Sequence, residues 1–422
     1  MHMRRIVALS LSFLLCACAA TMESQLDAVR AGYVDGNYVA TANEFSSGDR
    51  PESQNNLELL ITADSLFHAN EFAASDAAYE EFNHRNIDLT SGDLGREVGA
   101  LLGGNLANDY RPYMSDALFV SYYQLWNALA LGNHDDARVI INQSYARQQD
   151  MSREYDALVK QIQSDSSENA ELASQIRNEN AQWHAFRDIM NPALMYLSGV
   201  YFLNTGDFSN AKTYLQRADG MTDGNKYIKS DLRAANVRTA PKNTIWVFIE
   251  DGFAPKLRED RMDTFVMFSS GPATLSLAVS QPLFATPMPM VDGAQVVADV
   301  DALFMTEYAQ YRVNEVLRTF ASAASKAALQ SAMYNSDSDS APLMGLLATM
   351  YTLSTTNAEV RTWATLPQRI SVWRTTNDKT GLLEIKSGGN LVATAEIPSA
   401  GNYLVYVRLT GGAPDVKTIK IK

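Results

Sequence analysis

MYLSGVYFLNTGDFSNAKTYLQRA (residues 195–218) specifies a helix pair, the unit from which the N-terminal half is built. Two apolar segments with helical spacing flank Gly206-Asp207-Phe208, and the small residue Ala211 follows three places after the ring. Glycine allows the left-handed turn that ends a helix, an aromatic ring fills the space between two helices, and a small residue lets them approach closely. The stretch therefore predicts two antiparallel helices joined by a tight turn.

The same step occurs three more times, earlier in the chain. These instances are Gly36-Asn37-Tyr38 with Thr41, Asn70-Glu71-Phe72 with Ser75, and Gly132-Asn133-His134 with Ala137. The first two steps lie 34 residues apart, and the later gaps are 62 and 74 residues. The array is therefore irregular and carries insertions. Helical periodicity in residues 153–162 and 172–190 predicts a helical hairpin near 150–190, and the glycine-rich residues 91–108 predict a loop with a short helix.

Eight residues of the opening stretch resemble the signature positions of the tetratricopeptide repeat: Met195, Gly199, Phe202, Gly206, Phe208, Ala211, Leu215 and Ala218. The resemblance implies an α-solenoid of helix pairs, whose groove binds extended segments or helices of partner proteins. A helical bundle of no repeat lineage is the alternative, and it gives the same helix pairs. We expect the partner-binding side chains to face inward from the first helices, with acidic neighbours that select a basic partner. They are Tyr122, Asn127, Tyr201 and Asn204.

The pattern changes near residue 240. Residues 245–249 form an apolar run closed by Glu250-Asp251-Gly252, which predicts a buried strand, and residues 264–268 and 273–279 are two further strand candidates. Residues 300–333 predict a long helix that covers one face of this sheet, and residues 343–352 predict another, after a polar linker at 335–340. Alternating patterns over 370–374, 382–386, 391–397, 403–409 and 416–421 predict a small antiparallel sheet or sandwich.

The first eighteen residues have the layout of an export signal. Arg4 and Arg5 precede an apolar run over residues 6–15 that is too short to span a membrane, and Leu15-Cys16-Ala17-Cys18 follows. This resembles the lipobox of bacterial lipoproteins, which implies cleavage after residue 17 and attachment of diacylglycerol and an acyl chain such as palmitate to Cys18. Because Ala19 replaces the aspartate that retains such proteins in the inner membrane, the resemblance implies an outer-membrane lipoprotein facing the periplasm. An ordinary secretory peptide cut near Ala19 or Ala20 is the alternative.

Charge argues against nucleic acid as a partner. Residues 18–240 carry 17 basic and 31 acidic side chains, whereas residues 241–422 carry 16 and 17. The net −14 of the N-terminal half would be repelled by phosphates. The chain has two cysteines, Cys16 and Cys18, so the mature protein would have none for a disulfide or a thiolate metal site.

Several catalytic patterns are present, and each has a simpler interpretation. Ser209-Asn210-Ala211-Lys212 and Lys379-Thr380-Gly381 have the spacing of motifs in penicillin-binding enzymes, but the first lies in a helix-pair turn and the second in a hairpin turn. His68, His84, His134 and His184 lack metal-ligand spacing, so no metal and no other cofactor is expected. We interpret His68 and Glu71 as a surface pair on one helix face.

Paired carboxylates could serve a glycan hydrolase, and three pairs occur. Glu80-Glu81 and Asp135-Asp136 are adjacent on helices and point apart, and a structural turn is preferred for Glu250-Asp251. Arg361 and Trp363 could stack on a sugar, although packing between the last helix and the final sheet is preferred.

Several phrases together resemble a family of uncharacterised proteobacterial lipoproteins with tetratricopeptide-like N-terminal halves. The phrases are residues 123–139, Asn191-Pro192-Ala193, Tyr196-Leu197-Ser198-Gly199, residues 250–256, Arg361-Thr362-Trp363 and Leu366-Pro367. The resemblance implies a role in the envelope, associated with cell-wall assembly, and offers no catalytic residues.

The sequence thus predicts an α+β protein in three parts. A signal peptide (1–17) precedes a tetratricopeptide-like helical domain (18–240) and a smaller mixed α/β domain (241–422) that ends in a small antiparallel sheet. The predicted function is that of a non-enzymatic, lipid-anchored scaffold or adaptor for envelope proteins. An envelope enzyme or glycan-binding module in the C-terminal half is the alternative.

Overall fold

The computed structural model describes residues 18–45, 55–85, 110, 112–148, 191–222, 224–268, 271–334, 341–377 and 381–421. The signal peptide, residues 91–108, the helical hairpin predicted near 150–190 and the linker 335–340 lie outside these ranges. Among the described residues, no helix combines the length and the apolar character that a membrane span requires.

Helices occupy most of the N-terminal half and also form one layer of the C-terminal half. In chain order they are α1 (Cys18–Val34), α2 (Tyr38–Phe45), α3 (Asn56–His68), α4 (Phe72–Arg85), α5 (Met114–Ala130), α6 (134–148), α7 (Pro192–Thr205), α8 (Phe208–Met221), α9 (Lys226–Asn236), α10 (Val300–Tyr334) and α11 (Ala341–Thr355). The two long C-terminal helices confirm the predictions for residues 300–333 and 343–352.

Four left-handed turns join the helix pairs in the way the repeated step predicts. At the step residues Gly36, Asn70, Gly132 and Gly206, φ lies between 65° and 84°. The amide of the next residue donates to a carbonyl five residues earlier, at 2.8 to 3.0 Å in all four turns. This is the Schellman closure of a helix. The small residue of each step is buried, as close approach of the helices requires: Thr41, Ser75, Ala137 and Ala211.

In the part of the chain that the structure describes, nine strands follow α9. They are β1 (Thr244–Asp251), β2 (Lys256–Phe268), β3 (Gly271–Leu283), β4 (Gln295–Asp299), β5 (Arg369–Thr376), β6 (Gly381–Ser387), β7 (Asn390–Ile397), β8 (Tyr403–Leu409) and β9 (Asp415–Lys420). Every strand predicted from the sequence is present, and the α+β fold class is confirmed.

The C-terminal strands do not form the separate antiparallel sheet that was predicted from the sequence. Five of them form one mixed sheet in the order β4-β5-β1-β8-β9, in which β1 and β8 are parallel and the other pairs are antiparallel. β2–β3 and β6–β7 are two-stranded hairpins. Because all eight residues of β1 are buried, this strand needs cover on both faces and both edges, which a central position in a larger sheet provides.

The five-stranded sheet is covered on both faces. On one face Trp246, Phe248 and Tyr406 contribute to a core shared with the helices. On the other face Val247 and Val405 pack with residues of the β6–β7 hairpin. The alternation along each strand sends successive side chains to the two cores.

The helix pairs pack on this sheet through their first helices. Phe67 of α3 lies 5.1 Å from Tyr406, and Trp126 of α5 and Tyr196 of α7 lie 5.5 and 5.6 Å from Phe248, ring centre to ring centre. The largest core therefore contains residues from Leu26 to Tyr406 and crosses position 240. A solenoid with an open groove is not confirmed.

Strands β2 and β3 pack with α10 and α11 in a unit that we call the arm. Tyr308 of α10 donates to the Ser280 carbonyl of β3 at 2.6 Å. Gln330 of α10 accepts from the Thr274 amide and donates to Thr349 of α11 at 2.7 Å, so one side chain ties three elements together.

Candidate functional site

The four residues predicted to bind a partner are buried, which contradicts the expectation that they face a groove. Tyr122 and Asn127 are fully buried, and Tyr201 and Asn204 are 2% and 3% exposed. Asn127 donates to Ser75 at 3.0 Å, and Tyr201 donates to the His134 carbonyl at 2.9 Å. Their side chains stabilise the packing of the helices because the sheet occupies the space that a groove would offer.

Asn204 shows directly what fills that space. Its side-chain oxygen accepts a hydrogen bond of 2.7 Å from Asn402, which immediately precedes β8. Three of the residues that the sequence assigned to a partner, Asn127, Tyr201 and Asn204, are thus bonded within the chain itself.

The strand end at Glu250-Asp251 carries two buried carboxylates that point to opposite faces of the sheet. Glu250 accepts hydrogen bonds on Oε2 from Tyr123 at 2.9 Å and from Tyr406 at 2.7 Å. Asp251 accepts from Arg369 at 2.9 Å. Adjacent strand residues cannot act together on one substrate, so this pair does not have the geometry of a glycan hydrolase.

Burial dominates the electrostatics of Glu250. It raises the pKa of this carboxyl, against the lowering effects of Arg408 and of the hydrogen bond from Tyr406. Arg408 is the register partner of Glu250 across β1 and β8, is fully buried, and donates to the Thr365 carbonyl at 2.9 Å. Although burial lowers the pKa of Arg408, the neighbouring acidic groups, Glu250 first, leave it raised.

A second polar cluster surrounds His68, which sequence analysis wrongly placed on the surface beside Glu71. His68 is 2% exposed, whereas Glu71 lies in the turn after α3 and is exposed. The His68 ring lies 2.8 Å from Asp415 through Nδ1 and 3.6 Å from Asp64 through Nε2. The ring of Tyr38 stacks on it at 5.0 Å.

Lys417 completes the His68 cluster. Its ammonium donates to the Asp415 carboxylate at 2.6 Å and to the His68 carbonyl at 3.3 Å. Burial lowers the pKa of Lys417 despite this carboxylate. The cluster binds the end of α3 to the start of β9, and its groups contact one another, so we assign it a structural role.

A third acidic site lies between α5 and α10, beside a small pocket. Asp116 accepts on Oδ2 from the Tyr110 hydroxyl at 2.8 Å and from the Tyr113 amide at 2.9 Å. Glu307 accepts from the Ser115 amide and hydroxyl at 3.0 and 2.9 Å, and so caps the start of α5. Burial raises the pKa of Asp116 to about 7.

The pocket beside Asp116 is lined by apolar and aromatic side chains. They include Tyr113, Phe119, Phe304 and Trp363. Trp363 and Arg361 are 2% and 5% exposed, and Arg361 is paired with Glu359 at 2.5 Å. These two side chains are therefore not an exposed platform for a sugar.

The remaining catalytic patterns are separated or solvent-exposed. Ser209 and Lys212 are exposed on α8, where Asp207 caps the helix through the Asn210 amide at 3.3 Å. Lys379 and Thr380 lie outside the described residues. Within the described ranges, no three His, Cys, Asp or Glu side chains form a group that could hold a metal ion.

The exposed surface of the helical layer includes a polar border that we call the turn edge. It consists of the four turns between helix partners, with the exposed side chains Asp35, Glu71, Leu131, Asp135, Asp136 and Val139. Three first helices end beside β8 and β9. Tyr33 accepts from Thr410 at 3.4 Å, His68 from Lys417 at 3.3 Å, and Asn204 from Asn402 at 2.7 Å. The turns therefore follow one border of the molecule.

Sequence analysis missed the residues that join the two halves. Arg408 is the one charge in the otherwise apolar β8, and this pattern was a usable signal, because a charge in a buried strand requires a partner. Lys417 pairs with Asp415, two residues earlier on β9. The proximity of Arg408 to Glu250 and of Asp415 to His68 depends on pairings that sequence spacing does not reveal.

Comparison with known proteins finds no matching family model, no matching curated protein and no matching solved structure. The functional interpretation therefore depends on the geometry.

Proposed function

We propose that the protein is a non-enzymatic, lipid-anchored scaffold of the bacterial envelope. Acyl chains on Cys18 hold it at the outer membrane, and its body faces the periplasm. The scaffold binds partner proteins through the turn edge rather than through an inner groove.

The single observation that carries this proposal is that the chain's own sheet covers the inner side of the helix pairs. Trp126 and Tyr196 contact Phe248 there. The outer border stays accessible, and at one turn it combines apolar and acidic side chains. Leu131 and Val139 are 52% and 51% exposed, beside the exposed Asp135 and Asp136. Apolar side chains next to exposed carboxylates suit a partner with a mixed apolar and basic surface.

The charge of the chain supports the same partner class. The net −14 of residues 18–240 favours association with basic proteins and disfavours anionic polymers. The rigid attachment of the helices to the sheet keeps the turns in a fixed arrangement, which a scaffold requires.

Photo-crosslinking in intact cells tests this function. A photoreactive residue at Val139 should crosslink to a defined protein, and Asp135→Lys with Asp136→Lys should abolish that crosslink. The control position is Leu382 on β6, which is 67% exposed on the hairpin that covers the opposite face of the sheet. The same crosslinks from both positions, or an unchanged crosslink after charge reversal, would overturn the proposal.

Acylation of Cys18 is tested separately. Mass spectrometry of the mature N-terminus should find acyl chains on Cys18, and Cys18→Ser should release the protein from the membrane fraction. Membrane recovery of a wild-type protein that carries no acyl mass would contradict the anchor.

A further inference from the structure

The distal part of the arm is built from two long uncharged stretches. Residues 264–290 contain no charged side chain, and neither do residues 340–358, in a chain of which 20% is charged. The first stretch includes the last five residues of β2 and all of β3, and the second includes all of α11. Two segments distant in sequence are therefore both uncharged where they meet in the arm.

Large apolar side chains in this region are exposed. Met262, Phe265 and Met267 of β2 are 58%, 68% and 72% exposed. On α11 the exposed side chains are Met344, Leu346 and Leu347.

The apolar side chains of β2 and α11 lie at the same level along the arm. Phe265 is the register partner of Thr274. Thr274 is connected through Gln330 to Thr349 of α11. Phe265 and Met267 lie on the same hairpin face as Arg261, whose side chain contacts α11, whereas Met262 lies on the opposite face. Exposed apolar side chains on that face and on α11 are of the kind that marks a protein or membrane contact.

The start of α1 points toward this end of the arm. α1 runs along β2 in the opposite direction: Arg30 donates to the Ala254 carbonyl at 2.7 Å, Asp27 pairs with Lys256, and Glu23 accepts from the Glu259 amide at 2.9 Å. Cys18 is five residues before Glu23, which is about 7.5 Å along a helix. The first residue of α1 therefore lies toward the residues of β2 that follow Glu259, where the exposed apolar side chains begin.

The last charged side chains before the uncharged region are ion-paired or hydrogen-bonded locally. Arg261 pairs with Asp263 at 3.0 Å and also donates to the carbonyls of Leu353 and Thr356 at 2.7 and 3.1 Å. Asp260 accepts from Gln281 at 3.0 Å. A surface next to an apolar phase needs such pairing, because an isolated charge there is costly.

We propose that the distal arm docks on the lipid bilayer, with Phe265 and Met267 inserted among the acyl chains. This rests on the proposed function in one respect, since the Cys18 anchor is what places this end of the molecule at the membrane. The arm and the anchor then act as two contacts that fix the orientation of the body, whereas a single lipid leaves a protein free to rotate. The turn edge remains available for protein partners.

Fluorescence quenching by lipid tests the docking directly. Mature protein with Cys18→Ser has no other cysteine, so Met267→Cys in that background gives one labelling position. With vesicles of phosphatidylethanolamine and phosphatidylglycerol that carry brominated acyl chains, an environment-sensitive label at position 267 should be quenched. The same label at Leu382→Cys, on β6, should not be quenched. Equal signals at the two positions would overturn the proposal.

Vesicle binding by unlabelled protein gives a second measurement. In the Cys18→Ser background the arm is the remaining proposed membrane contact, too weak to keep the protein in a washed membrane fraction but measurable at high lipid concentration. There, Phe265→Asp with Met267→Asp should weaken vesicle binding at least tenfold. The matched control is Leu382→Asp with Leu391→Asp, which changes two exposed apolar residues of the β6–β7 hairpin and should leave binding unchanged. All four positions are exposed, so folding is retained.

Failure of the arm proposal is distinguishable from failure of the proposed function. Acylated wild-type protein whose arm label stays unquenched would overturn docking alone. A crosslink from position 267 to a protein in place of lipid quenching would also overturn it and would assign the arm to a partner protein. Loss of the Val139 crosslinks or of Cys18 acylation overturns the scaffold without affecting the vesicle result for Cys18→Ser protein.

Discussion

His68 at the end of α3 lies 2.8 Å through Nδ1 from Oδ2 of Asp415 at the start of β9, although 347 residues separate them in sequence. The His68 side chain is fully buried and that of Asp415 is 8% exposed. Since Lys417 contacts both residues, the end of a helix and the start of an edge strand are held together by charged groups away from water. The helical and strand-rich halves are therefore joined by polar contacts as well as by a shared core.

Removal of the His68 ring should destabilise the whole protein. His68→Ala leaves Asp415 buried with one partner fewer and opens a space under Tyr38, so we expect a loss of about 2–4 kcal/mol in the free energy of unfolding. Urea denaturation of the Cys18→Ser protein measures this loss. Glu71→Ala, an exposed change three residues away, should stay within about 0.5 kcal/mol and is the control. Equal effects of the two variants would contradict the role assigned to His68.

Asp415 should make stability depend on acid pH. Burial would raise the pKa of this carboxyl, but the hydrogen bond with His68 and the charge of Lys417 outweigh burial and hold the pKa below its usual 3.8. The folded state therefore binds this proton less readily than the unfolded state. The resulting stabilisation is present above about pH 4 and is lost as the pH falls through the folded-state pKa.

Asp415→Asn tests that dependence. Its free energy of unfolding should be lower than that of the unsubstituted protein at pH 7, and the two values should converge as the pH falls below about 4. Asp135→Asn, at an exposed position, is the control and should not change the pH profile. A gap between Asp415→Asn and the reference protein that is constant from pH 7 to pH 3 would contradict the assigned pKa shift.

Asp116 should change folding stability with pH in the direction opposite to that of Asp415. Burial raises its pKa from 3.8 to about 7, so between these values the folded state binds a proton that the unfolded state has released. Stability attributable to this group therefore falls as the pH rises from about 4 to about 7. Because both hydrogen bonds to Asp116 end on Oδ2, an asparagine oxygen can accept both.

Asp116→Asn should accordingly flatten the profile between pH 5 and pH 8. At pH 8 it should stabilise the protein by up to about 4 kcal/mol, since it removes a buried negative charge. Thermal denaturation across this pH range measures the change. An unchanged slope, or a loss of stability at pH 8, would show that the carboxylate has a partner that outweighs its burial.

The helix pairs could be predicted from the sequence because the residues within each turn specify its conformation. Gly36, Gly132 and Gly206 adopt the left-handed conformation for which glycine is suited, and Asn70 adopts it as the other residue type that tolerates it. The strand positions were likewise predictable from alternation. In both cases the signal lies within about ten residues of the structure that it specifies.

The partner-facing residues were not predictable, because periodicity identifies a helix face but not what covers it. Tyr122 and Asn127 have side chains that suit either a wet groove or a bonded interior. The choice was decided by β1 and β8, whose apolar faces needed cover and are more than a hundred residues away. The same nonlocal pairing placed Glu250 beside Tyr123 and His68 beside Asp415, so the polar clusters could not be predicted from spacing.

Two glycines, Gly199 of α7 and Gly220 of α8, have opposite surroundings, one crowded and one open. A Cβ at Gly199 would lie 2.7 Å from Cγ of Leu215 and 3.3 Å from its backbone nitrogen, and Leu215 is fully buried. A Cβ at Gly220, near the end of α8, meets nothing within 4 Å. Gly199→Ala should therefore destabilise the protein by about 1–2 kcal/mol, because the strain of overpacking exceeds the gain in helix propensity. Gly220→Ala should stabilise it by up to about 1 kcal/mol. Urea denaturation of both variants measures the contrast, and a stabilising Gly199→Ala would mean that the two helices do not pack at this distance.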